Sequence, residues 1–135
     1  MIELEDGLRL AILSLRDAIP QGLAPEFPVL LPAYTEEECA ASLAKVAEAM
    51  RAGCGQIICI GPFAGKLHDL ADEIIEDAER IDIGTMVIDE ASTACYCLLE
   101  IVSDRGSRDR VAFIADHPEI AATMHDLITF GPTYD

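Results

Sequence analysis

Two hydrophobic periods run through the chain. Residues 3–19 place Leu4, Leu8, Ala11, Ile12, Leu15 and Ile19 at helical spacing, with Glu5, Arg9, Arg16 and Asp17 on other faces; this predicts an amphipathic N-terminal helix. Pro20, Gly22, Pro25 and Pro28 then break the chain, and Val29-Leu30-Leu31 reads as a short buried strand stopped by Pro32. Thr35-Glu36-Glu37-Glu38 has the form of a capping box, in which the Thr hydroxyl accepts an orphan N–H and Glu38 reaches back to the cap. A helix is predicted from there, with Ala40, Leu43, Ala44, Ala47 and Met50 as its apolar stripe and Gly53 and Gly55 as its stop.

Gln56-Ile57-Ile58-Cys59-Ile60 is continuous, short and β-branched, as a strand buried on both faces is, and Gly61-Pro62 ends it. The next helix is predicted to turn Leu67, Leu70, Ala71, Ile74, Ile75, Ala78 and Ile81 inward. Thr85–Ile88 forms a third strand ending at Asp89-Glu90, and Ser92 or Thr93 opens a helix through Cys95, Leu98, Leu99, Ile101 and Val102 that stops near Gly106. Val111–Ala115 is a fourth strand, and Asp116 or His117 with Pro118 begins a last helix ended by Gly131-Pro132. Short buried strands alternating with amphipathic helices indicate right-handed crossovers. The expected fold is one α/β domain over 1–135, with an N-terminal helix over 1–19 and βα repeats over 27–131. It is a three-layer sandwich of about four parallel strands with helices on both faces, flavodoxin- or Rossmann-like but without a nucleotide motif.

Charge changes the picture. Nine Lys and Arg face 25 Asp and Glu, a formal charge of -16. Such a field repels phosphate backbones and anionic lipid, which argues against nucleic acid and membrane surfaces and for a basic protein partner or a cation. The start Met1-Ile2-Glu3-Leu4-Glu5-Asp6 lacks the basic, apolar pattern of a signal peptide, and no apolar run approaches the ~20 residues of a membrane span. Five cysteines (Cys39, Cys54, Cys59, Cys95, Cys97), odd in number and set in apolar patterns, fit buried thiols in a cytoplasmic protein.

In open parallel sheets the ligand crevice lies beyond the carboxyl ends of the strands. This topology would bring Asp89, Asp116, His117 and, one turn into a helix, His68 to one sheet edge. Together they offer a catalytic acid and base, and Asp89, Asp116 and His117 offer ligands for Mg²⁺ or Mn²⁺. The competing reading is structural, because Asp89 and Asp116 are good N-caps. Gly61-Pro62-Phe63-Ala64-Gly65-Lys66-Leu67 is one residue short of a phosphate-binding loop, Leu67 cannot hold Mg²⁺, and Pro62 lacks an N–H, so no cofactor site is implied there. Residues 69–82 carry seven acids and one base. Within that stretch Asp69, Asp72, Glu73, Glu76 and Asp77 form an acidic face whose self-repulsion a basic partner would relieve.

Gly61-Pro62, then His68-Asp69-Leu70-Ala71-Asp72, then Gly84-Thr85-Met86-Val87-Ile88-Asp89-Glu90 resembles a small uncharacterised bacterial α/β domain family. That family shows Gly-Pro, His-Asp-x-x-Asp and a Thr-rich strand ending in acids. The resemblance implies a bacterial cytoplasmic protein in which His68, Asp69 and Asp72 matter. By size and acidity the chain is also similar to immunity or inhibitor proteins that neutralise basic toxins.

Two functions follow as expectations. The first is a non-enzymatic acidic interaction module of immunity, inhibitor or adaptor type, binding a basic partner through Asp69, Asp72, Glu73, Glu76 and Asp77. The alternative is a metal-assisted hydrolase or small-ligand binder at the strand ends, using His68, Asp89, Asp116 and His117. The N-terminal helix, packed outside the βα core, would equally serve a homodimer.

Overall fold

A computed structural model describes residues 1–4, 7–100 and 107–131. Six strands form one sheet: β1 (Ile2–Glu3), β2 (Arg9–Ile12), β3 (Pro28–Pro32), β4 (Gln56–Ile60), β5 (Gly84–Val87) and β6 (Asp109–Ala112). Four helices accompany them: α1 (Glu36–Ala52), α2 (Ala64–Asp77), α3 (Ala91–Glu100) and α4 (Pro118–Phe130). The strand order is β1-β2-β6-β3-β4-β5, and every pairing is parallel except the antiparallel β1–β2.

The sheet separates two cores by the period-two alternation of its strands. Val29, Leu31, Ile57, Cys59, Val111 and Phe113 pack with α1 and α2 on one face. Leu10, Leu30, Ile58, Ile60, Ala112 and Ile114 pack with α3 and α4 on the other. The three-layer α/β sandwich is therefore present, with six strands rather than about four. Among the described residues, no helix is long and apolar enough to cross a membrane.

The N-terminal segment departs most from expectation. Residues 3–19 are not a helix, so no amphipathic helix lies outside the core there to serve a homodimer. Gly7 at φ 78°, with its N–H bonded to Leu4 O, turns the chain between β1 and β2. β2 then runs parallel to β6 with Leu10 and Ala11 both buried, one against each core. A run buried on both faces has no period of its own, and the helical spacing of its leucines was incidental. Arg9 is held by a two-pronged pair to the fully buried Asp109, at 2.7 and 2.8 Å.

β3 tolerates proline at both ends for a geometric reason. Its even-numbered residues turn toward β6, as Phe113 N–H bonding to Leu30 O shows, but the β3–β6 ladder covers only Val29–Val111 and Leu30–Ala112. Pro28 and Pro32 lie beyond it, so their missing N–H groups cost no ladder bond. The freed Pro32 carbonyl accepts from the buried Ser42 hydroxyl of α1 at 2.5 Å.

Helix phases also shift. On α1 the buried residues are Cys39, Ser42, Val46, Ala49 and Met50, while Ala40 and Ala44 face solvent. α2 buries Ala64, Leu67, Ala71 and Ile75 and ends at Asp77, which leaves Ala78 outside and Ile81 99% exposed. Ile101, Val102, Gly106 and Pro132 lie outside the described residues, as does Glu5.

Candidate functional site

β3 leads into α1 on one face of the sheet, and its neighbour β6 leads into α4 on the other. Adjacent strands whose helices diverge in this way open a crevice at their carboxyl ends. Here it is a cavity of about 580 Å³ lined by Tyr34, Ala91, Asp116, His117, Pro118, Glu119, Ile120 and Thr123. The short β3–β6 ladder lets the two chain ends part just below it.

The crevice chemistry comes from the start of α1. Thr35 is the N-cap, its hydroxyl accepting from Glu38 N–H at 3.0 Å. Glu38 completes the box one residue early: its Oε1 accepts from the N–H of Tyr34, at 2.8 Å, rather than from that of Thr35. Its second oxygen, Oε2, lies 2.7 Å from His117 Nε2 at the N-cap of α4. A carboxylate needs a donor, so Nε2 carries a proton; in the neutral imidazole Nδ1 then keeps a lone pair. No described group bonds Nδ1. The Tyr34 ring packs on the imidazole with centroids 4.8 Å apart and planes tilted by 41°. Burial, then the Glu38 carboxylate, pushes the Tyr34 phenol up from its ordinary value, so it remains a hydroxyl.

The predicted site residues divide between two places. His117 and Asp116 both line the crevice. Asp116 caps no helix: Ser14 donates to it at 2.7 Å, and Arg16 stands 3.8 Å away. Asp89 is exposed just before α3, beside the crevice residue Ala91.

His68 belongs elsewhere. Its Nε2 is 3.1 Å from the Thr85 hydroxyl on β5, which donates to Asp72 at 2.6 Å, while its Nδ1 is 3.2 Å from Asp69. Among the described residues, no group of three or more His, Cys, Asp or Glu side chains is placed to hold a metal ion. Tyr34 and Glu38 were missed by sequence reasoning. Glu38 looked like a local cap, and nothing linear links it to His117, which is 79 positions away.

The five acids of α2 lie on its solvent side. Asp69, Glu73, Glu76 and Asp77 are exposed, and Asp72 is partly so. No Lys or Arg among the described residues forms an ion pair with any of them. Neither a family model, nor a curated protein, nor a solved structure matches this chain.

Proposed function

We propose that the protein binds a small polar ligand in the crevice between the carboxyl ends of β3 and β6. The 2.7 Å Glu38–His117 hydrogen bond carries the reading, because it orients a crevice-lining imidazole whose neutral form offers Nδ1 as an acceptor to a ligand hydroxyl or amine. Tyr34 and Ile120 supply the apolar wall, and Asp116 and Glu119 the polar rim. The metal-assisted version, with Mg²⁺ or Mn²⁺ among Asp89, Asp116 and His117 and with His68 as a further catalytic group, has less support because His68 is engaged on β5. The test is a titration of the isotope-labelled protein with nucleosides, sugars and amino acids, read by amide shifts. A ligand that shifts Tyr34, Ala91, His117 and Ile120, and binds at least tenfold more weakly to His117→Ala, supports the reading. Undiminished binding to that variant overturns it.

A second reading is an acidic, non-enzymatic interaction module for a basic partner protein in the cytoplasm, of immunity, inhibitor or adaptor type. The exposed acids of α2 favour it: Asp69 and Glu73, Asp72 and Glu76, and Glu73 and Asp77 repel at i,i+4 spacing, and no Lys or Arg among the described residues forms an ion pair with them. Each such pair costs a few tenths of a kcal/mol, roughly 0.2–0.5, which a cationic surface would recover. Capture from a bacterial lysate at low salt, repeated with the five acids changed to Asn or Gln, tests it. An unchanged set of partners rejects the acidic face.

A further inference from the structure

We propose that the outer edge of β5 takes an extended, basic segment of a partner protein as an added strand. This rests on the basic-partner reading and supplies its mode of binding. β5 ends the sheet, and among the described residues no strand lies on its far side. Gly84 N–H bonds to Gly55 O and Ile88 N–H to Cys59 O, so the even-numbered residues spend their backbone groups on β4. Alternation turns the N–H and C=O groups of Thr85 and Val87 outward, in the pattern that strand addition completes. The opposite sheet edge is the two-residue antiparallel β1, too short to offer a comparable ladder.

The charge around this edge selects the occupant. Thr85 donates to Asp72, which places the acidic side of α2 against β5, with Asp69 and Glu76 one turn to either side of Asp72. Asp89 and Glu90, both exposed, come one residue after the strand ends. A second copy would bring the same acids into register with these and be repelled. A chain with Lys or Arg on alternate positions would set its cations against α2 while its backbone pairs with β5. The half-exposed Val87, on the α2 side of the strand, offers an apolar contact between them.

The probe is an end-capped octapeptide of alternating lysine and threonine, titrated at low salt into the isotope-labelled full chain. The expected result is a saturating shift of the Thr85 and Val87 amides with slowed hydrogen exchange there. The same peptide N-methylated throughout, which keeps its charge but has no amide hydrogens, should bind at least tenfold more weakly. Val87→Pro, which removes an outward N–H and leaves the β4 ladder intact, should weaken it similarly. Equal binding of the methylated peptide overturns strand addition, and this comparison leaves the protein unaltered should Val87→Pro fail to fold. If binding depends on Asp69, Asp72, Glu73 and Glu76 but not on methylation, the basic-partner reading stands and this inference falls. Dependence on neither rejects both. Sedimentation showing a dimer that Val87→Pro dissociates would assign the edge to a second copy instead.

Discussion

Asp109 shows how much one buried side chain can organise. Burial opposes its ionisation, but the Arg9 guanidinium and the Ala24 N–H at 2.6 Å outweigh that and hold the carboxyl below its ordinary value. Glu48 is lowered as well, first by the Ile19 N–H and then by Lys45. A lowered carboxylate stabilises the fold above its unfolded-state value and loses that contribution as pH falls through the folded one. Stability should therefore fall below about pH 4.5. Asp109→Asn should lower the neutral-pH unfolding midpoint by roughly 5–10 °C, with its difference from the native protein shrinking toward pH 2.5; a constant difference in calorimetry contradicts the assignment. The cysteines form a second residue-scale case. Burial pushes Cys54 and Cys59 up to about 12 and Cys95 to about 11, and raises Cys39 and Cys97 as well. Iodoacetamide at pH 8 should label the half-buried Cys97 first and reach the other four only in denaturant, as intact mass will report.

At the scale of elements, α1 carries two duties in one turn. Its N-cap Thr35 is exposed and local, so Thr35→Ala should cost about 1 kcal/mol of stability while leaving the His117 resonances in place. Glu38→Gln should do the reverse: the amide can still accept from Tyr34 N–H, but it loses the charge-assisted bond to imidazole, so the His117 ring signals move at near-native stability. If both variants behave alike in paired denaturant melts and imidazole spectra, the two duties are not separable. The Thr35 cap and the Gly53 stop were legible because they are short-range: Gly53 sits at φ 100° with its N–H on Ala49 and Met50 carbonyls. The stripe between them was misphased because alanine is compatible with either side of a helix, and the burial of Ser42 depends on the Pro32 carbonyl of another element.

Across the whole molecule, the N-terminal strands are structural members of the sheet. β2 covers the flank of β6 along its full length, from Arg9–Asp109 to Ile12–Ala112. A chain beginning at residue 14 would expose that flank and strip Leu10 and Ala11 from the two cores. It is expected to lose cooperative thermal unfolding, whereas a peripheral N-terminal segment would leave the transition sharp. The charge of -16 also acts at this scale. Raising ionic strength should increase the unfolding midpoint as self-repulsion is screened, an effect concentrated on α2.

The central strands, the caps and the βα alternation were determined by the sequence itself, since continuous β-branched runs and Thr-x-x-Glu or Gly punctuation act over a few residues. Only the tertiary structure decided that residues 9–12 join the sheet, because a segment buried on both faces shows no period until its neighbours are known. It alone brought Glu38 to His117 and Asp72 to Thr85, bonds made across 79 and 13 positions. The acids that mark α2 were visible from composition. Their place beside an open strand edge depended on the strand order, which follows from how the helices divide between the faces of the sheet.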